Sequence, residues 1–146
     1  MVRPIRSDEL PMLLSLYEHL HARDESRSPE ATEHAWAEAM GNPRCRYFGG
    51  FHGGRLVSSC TIMVIPNLTR GCRPYAVLEN VVTDSEYRNR GWGKAVLSDA
   101  LHFAWSSGCY KVMLMTGRQE DSVFAFYEGA GFSRHDKQAF IARRPA

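Results

Sequence analysis

The chain has 146 residues, of which 44% are hydrophobic and 23% charged. This is the size and balance of one soluble domain, able to bury roughly two-thirds of its unfolded surface without staples. Eighteen basic and sixteen acidic residues leave a formal charge of +2, too small to argue for nucleic acid or an anionic membrane. No apolar stretch approaches the ~20 residues of a membrane span, and Met1 to Asp8 hold no signal-peptide core. The four cysteines (Cys45, Cys60, Cys72, Cys109) show neither a CxxC pair nor metal-ligand spacing, so reduced thiols in a cytoplasmic protein are expected.

No repeat, low-complexity tract or linker interrupts the sequence, and residues 1–146 are read as one domain. Val2 to Ile5 fits a short edge strand. Ser7 or Asp8 can cap a helix running to Leu20, with Leu10, Leu13, Leu14 and Tyr17 on one face. Ser28-Pro29 is a helix start, since proline at the first helical position gives up no hydrogen bond; this helix runs to Met40 and ends at Gly41-Asn42-Pro43. Arg46 to Phe51, the turn His52-Gly53-Gly54 and Leu56 to Ile65 form a hairpin. Asn67 to Pro74 is a loop and Tyr75 to Thr83 a third strand of this run. Gly91 to Ser106 is helical, with Leu97, Leu101, Ala104 and Trp105 at core spacing. Lys111 to Thr116 reads as a buried strand, Ser122 to Gly129 as a short helix closed by Gly131, and Phe132 to His135 and Gln138 to Ala142 as two last strands. The fold class is mixed α/β (α+β): a mostly antiparallel mixed sheet flanked by about four helices.

Three places could carry chemistry. Arg88-Asn89-Arg90-Gly91-Trp92-Gly93-Lys94 joins a strand to a helix. A glycine-rich turn at a helix start aims backbone N–H groups and the positive end of the dipole at one spot, and Arg88, Arg90 and Lys94 add charge, which suits a pyrophosphate. Ala95 after Lys94 excludes a Walker A loop, and Val96 excludes a dinucleotide fingerprint. An exposed basic turn explains the same residues equally well. Glu79 lies in the apolar run Val77 to Val82. Strict alternation puts Val77, Glu79 and Val81 on one face and Leu78, Asn80 and Val82 on the other. A carboxylate there is either a general base with a raised pKa or a partnered, edge-exposed Glu. Tyr127, in Phe124 to Phe132, is either core or a proton donor to a thiolate.

Elsewhere plainer readings prevail. His19, His21 and His34 lack metal spacing, and Cys72 and Cys109 lack a paired histidine. Asn67-Leu68-Thr69 matches a glycosylation acceptor with no signal peptide before it.

Arg88-x-x-Gly91-x-Gly93, followed by a helix, a strand and Phe126-Tyr127-Glu128-x-x-Gly131-Phe132, resembles the GNAT acetyltransferase superfamily in both motifs and in their order. Leu78 to Val82 and Gly108 to Lys111 are similar to glucosamine-6-phosphate N-acetyltransferases and to enzymes acetylating aminoalkylphosphonates. Asn80 replaces an acidic residue usual in the sugar-phosphate enzymes, and Gln119 to Ser122 replaces a common asparagine contact to the CoA arm.

The resemblance implies a sheet splayed near Val81, with acetyl-CoA in the gap and no metal. Backbone groups of Val81, Val82 and Thr83 would hold the pantetheine and acetyl carbonyl. Arg88, Asn89, Arg90, Gly91, Trp92, Gly93 and Lys94 would cradle the pyrophosphate, with Ser122 a further cofactor contact. Glu79 would take a proton from the ammonium, directly or through water, and Tyr127 would protonate the thiolate. The implied activity is N-acetylation of a small-molecule amine, with Arg70 and Arg73 able to bind an anionic acceptor and a homodimer as a candidate assembly. The alternatives are a protein N-terminal or lysine acetyltransferase and a non-catalytic acetyl-CoA-binding module.

Overall fold

The computed structural model describes residues 1–20 and 26–146; His21 lies outside them. Met1–Leu114 and Met115–Ala146 form two compact units.

The first unit is a five-stranded sheet in the order β1-β2-β3-β4-β5. Its strands are β1 (Val2–Pro4), β2 (Cys45–His52), β3 (Arg55–Ile65), β4 (Tyr75–Thr83) and β5 (Val112–Leu114). Neighbours are antiparallel except β4 and β5, which run parallel. Helix α3 (Trp92–Ser106) supplies the crossover between them, the connection a parallel pair requires. Helices α1 (Leu10–Tyr17) and α2 (Pro29–Gly41) precede the hairpin.

Local chemistry explains most boundaries. Ser28 caps α2, its hydroxyl accepting from the Ala31 N–H at 3.1 Å. The β2–β3 turn has two residues, Gly53 and Gly54, at φ +55° and +81°, the doubly left-handed geometry that matches strand twist; His52 is already paired with Arg55. The first helix begins later and ends earlier than its sequence suggests. Residues Ser7–Glu9 form a 3₁₀ turn and α1 stops at Tyr17. The capping acceptor is Glu9 rather than Ser7 or Asp8: its carboxylate takes the Arg6 N–H at 2.8 Å and pairs with Arg3 at 2.6 and 2.9 Å.

The two sheet faces are covered differently. Cys60 of β3 points its thiol at the Val96 carbonyl of α3. Ile62 shares that face by alternation, and Leu78 does so by pairing with Ile62. On the opposite face Leu13 and Leu16 of α1 pack with Ile5, Phe51, Leu56 and Val82. Of the expected face of α1 only Leu13 is fully buried, while Leu10, Leu14 and Tyr17 are half-buried and line a cavity with it; Leu16, outside that face, is buried as well. Trp105, expected in the core of α3, is 51% exposed at its last turn, beyond the reach of the sheet.

The second unit contains α4 (Asp121–Gly129). The strands expected at Phe132–His135 and Gln138–Ala142 do not form, and residues 132–146 lie outside helix and strand. Their composition suits a strand, but a strand exists only through a ladder, and Ser133 to Lys137 places five polar residues between two short apolar stubs. Phe140 and Ile141 are 91% and 62% exposed.

Candidate active site

The turn before α3 is built around Gly91, which caps the helix with φ +83° and no side chain. Only glycine adopts this left-handed geometry without penalty, and a Cβ built there would meet open space. The first helical bond runs from the Ala95 N–H to the Gly91 carbonyl at 3.0 Å. The N–H groups of Trp92, Gly93 and Lys94 precede it and have no intrahelical acceptor. The first turn carries no acidic residue, so nothing offsets the positive end of the dipole. Arg88, Asn89, Arg90, Gly91 and Lys94 are all exposed. Arg88 donates to the Thr83 carbonyl at 3.2 Å, and the Arg90 guanidinium lies 5.4 Å from the Tyr87 ring centre.

Two buried groups hold the turn. Asp84, 2% exposed, caps the 3₁₀ turn Ser85–Tyr87 by accepting the Glu86 N–H at 3.0 Å. It also pairs with Arg55 at 2.5 Å. Trp92 lies so close over Gly50 that a Cβ there would come within 2.9 Å of the indole. Neither Asp84 nor Gly50 carries a motif; their importance shows only once the strands are assembled.

Strand β4 carries an irregularity at the expected place. Thr61 pairs with Glu79 and Ser59 with Val82, so two residues, Asn80 and Val81, stand opposite Cys60 alone. Asn80 takes φ +52°, the left-handed first position of a bulge. The extra residue reverses the phase of the strand. Strict alternation put Leu78 and Val82 on one face, but Leu78 faces α3 and Val82 joins the α1-side core. On the other edge of β4, pairing with β5 ends at Leu78↔Leu114, so the Glu79–Thr83 portion extends beyond that ladder. The Val82 carbonyl and the Thr83 hydroxyl are engaged by the Ser58 hydroxyl, at 3.0 and 2.8 Å.

Glu79 is exposed rather than buried. Its neighbours Leu78 and Val82 are buried but it is not, so burial gives no argument for a base here and position alone qualifies it. By register it shares the face of Thr61. A cavity of about 470 Å³ opens on that face between α1, α2 and β2, with Asn80 in its wall. Tyr17 lines it, and the Tyr17 hydroxyl and the Thr61 Oγ1 are both buried. Burial raises the Tyr17 phenol above its ordinary value, with Thr61 and Asn80 close enough to oppose the shift.

In the second unit, Tyr127 sits on α4 with ring centres of Phe126 at 5.0 Å and Phe132 at 6.3 Å, both edge-on. Its carbonyl accepts the N–H of Ala130 and of Phe132 at 3.0 and 3.1 Å. Ser122 is exposed in the first turn of the same helix. Glu120 before it is held below its usual range by the Arg118 guanidinium at 3.0 Å. Cys109 is buried, which pushes its thiol up, and Cys60 is pushed up to about 12; both are thereby poorer nucleophiles. Among the described residues no group of three or more His, Cys, Asp or Glu could hold a metal ion, and no helix is long and apolar enough to cross a membrane.

Known proteins share this fold. A protein of Agrobacterium tumefaciens str. C58 superposes with a TM-score of 0.92 at 38% identity, over 99% of both chains. A Trypanosoma brucei acetyltransferase gives 0.80 at 30%, over 98% of this chain and 99% of that one. Arabidopsis thaliana glucosamine-6-phosphate N-acetyltransferase gives 0.84 at 22% over 99% of this chain and 97% of that one, a likeness of fold. Among curated sequences, the glucosamine 6-phosphate N-acetyltransferase of Trypanosoma brucei brucei is 41% identical over 85 residues, 58% of this chain and 56% of that protein. The chain spans about half the length of the curated relatives it matches. The model of the acetyltransferase (GNAT) family matches residues 11–132. With its splayed sheet and its glycine-capped α3, the chain belongs to the GNAT acetyltransferase family.

Proposed function

We propose that this chain is an acetyl-CoA-dependent N-acetyltransferase that acetylates the primary amine of a small molecule by direct attack in a ternary complex. The observation that carries the reading is the start of α3. Three backbone donors without intrahelical acceptors, a left-handed glycine beside open space and three exposed cations form a seat for a pyrophosphate. The edge of β4 beyond Leu78 offers its peptide groups to an extended arm.

Acetyl-CoA supplies the acetyl group as an activated thioester. The turn from Arg88 to Lys94 binds its pyrophosphate, and Ser122 adds a contact to the CoA arm. Backbone groups of Val81, Val82 and Thr83 hold the pantetheine and polarise the thioester carbonyl. Glu79 accepts a proton from the ammonium, directly or through water, so that the amine nitrogen can form the new C–N bond. Tyr127 gives a proton to sulfur as the C–S bond breaks. Binding both partners side by side supplies the proximity contribution.

The test is ligand-induced stabilisation. CoA should raise the melting temperature of the wild type by mass action. Gly91→Glu, which puts bulk and negative charge where phosphate must lie, should abolish the rise. A folded variant that keeps the full rise refutes the assignment.

A further inference from the structure

Taking the chain to be an N-acetyltransferase, we propose that its acceptor is a primary amine on an apolar body, an arylalkylamine or alkylamine seated in the cavity between α1, α2 and β2. The cavity, about 470 Å³, is of ordinary size for a small-molecule site. Its walls include Leu10, Leu14, Leu20, Tyr17, Trp36 and Tyr47.

Three polar atoms of these walls are buried or already used. The Tyr17 hydroxyl is buried, so what this lining residue shows the cavity is its ring. The Trp36 indole N–H donates to the Ser7 carbonyl at 2.8 Å, and the ring stands edge-on to Tyr47 at 5.1 Å. Thr32 spends its hydroxyl on the Ser28 carbonyl at 2.9 Å. Among the described lining residues only Arg27 and Asn80 bring a charged group or an amide. An amino-sugar phosphate needs a donor or acceptor for each hydroxyl and several for its phosphate, and leaving those groups unpaired in such a pocket is costly. An apolar body needs only the rings and leucines.

The polar end of the cavity suits the ammonium. Asn80 lines it, and Glu79, the preceding residue, lies on the same face as Thr61. Arg27 is the one arginine among the described lining residues; the loop arginines Arg70 and Arg73 are elsewhere. Arg70 and Arg73 stand 6.0 and 5.7 Å from the Tyr110 ring centre. That places them beyond Tyr75, at the start of β4, about 16 Å along the strand from Asn80.

The test compares 2-phenylethylamine with glucosamine 6-phosphate on the full chain. Binding is read by calorimetry in the presence of CoA, and transfer by thiol release from acetyl-CoA. Phenylethylamine should bind and be acetylated with kcat/KM at least tenfold above that of glucosamine 6-phosphate. Ala35→Trp, on an exposed position of the cavity wall, should raise KM for phenylethylamine tenfold or more while preserving the CoA-induced rise in melting temperature. Ala35→Phe gives a smaller change in the same direction and serves if the tryptophan variant does not fold. Higher kcat/KM for the sugar phosphate overturns the apolar acceptor and leaves acetyl transfer standing. Binding of phenylethylamine with no amine acetylated supports the pocket and removes the transferase reading. Absence of both binding and transfer overturns both. Unchanged KM in folded Ala35 variants overturns the cavity as the seat.

Discussion

Glu9 stands at the start of α1, whose Leu10, Leu14 and Tyr17 line the cavity, and its charge can be tested apart from catalysis. The carboxylate is almost fully buried, 5% exposed. It accepts from Arg3 at 2.6 and 2.9 Å and from the Arg6 N–H at 2.8 Å, while the Arg3 guanidinium lies 3.8 Å from the Phe51 ring centre. The Arg3 hydrogen bonds outweigh burial, and together they lower its pKa from an ordinary 4.5 to about 2. At ~1.36 kcal/mol per pH unit this displacement stabilises the fold by ~3 kcal/mol. The folded value is depressed, so the contribution is complete above pH 4.5 and is lost as pH falls towards 2. Glu9→Gln keeps the shape and removes the charge. The stability gap between wild type and variant, read by urea unfolding, should be ~3 kcal/mol at pH 7 and close progressively between pH 4.5 and pH 2. Subtracting one protein from the other removes carboxylates common to both. A gap that stays constant across that range would show that shape, not charge, holds the cap.

Three further outcomes probe the site. Glu79→Gln should lower kcat/KM at neutral pH and recover in part at high pH, where free amine is abundant; an unaltered pH–rate profile would assign the proton to another acceptor. Tyr127→Phe should reduce kcat about 10²-fold or more with near-normal melting temperature and acetyl-CoA affinity. Full turnover with a loss of ~1 kcal/mol of stability would instead make it a packing residue. Gly50→Val should displace Trp92, since even a Cβ comes within 2.9 Å of the indole, and so weaken CoA binding several-fold from a position outside the turn; unaltered CoA affinity in a folded variant would show that α3 starts independently of β2.

What was legible in the sequence was local. Ser28-Pro29, Gly53-Gly54 and the glycine before Trp92 announce themselves because a cap, a tight turn and a left-handed helix start each need particular residues within a few positions. The rest depends on partners distant in sequence. Asn80 is an ordinary residue in a strand until β3 supplies one residue opposite two, and this misplaced Val82 by a full face. Glu79 looked buried because its apolar neighbours are, although its own side chain is exposed. Phe132–His135 and Gln138–Ala142 had strand composition and no ladder. The cavity draws its walls from α1, α2, β2 and β4, and no periodicity within one element could announce it.

The left-handed Asn80 also sets how this strand can change. Side-chain direction in β4 depends on the number of residues between Leu78 and Val82, not on their identity alone. Substitutions at Asn80 can ease or worsen its backbone, but they leave the count intact. Removing Asn80 or Val81 would close the ladder with one residue opposite Cys60, leaving Val82 opposite Ser59 and Thr83 opposite Ser58. The bulge thus adds a residue to β4 while both flanks keep their partners on β3, through a spacing that point substitution cannot alter.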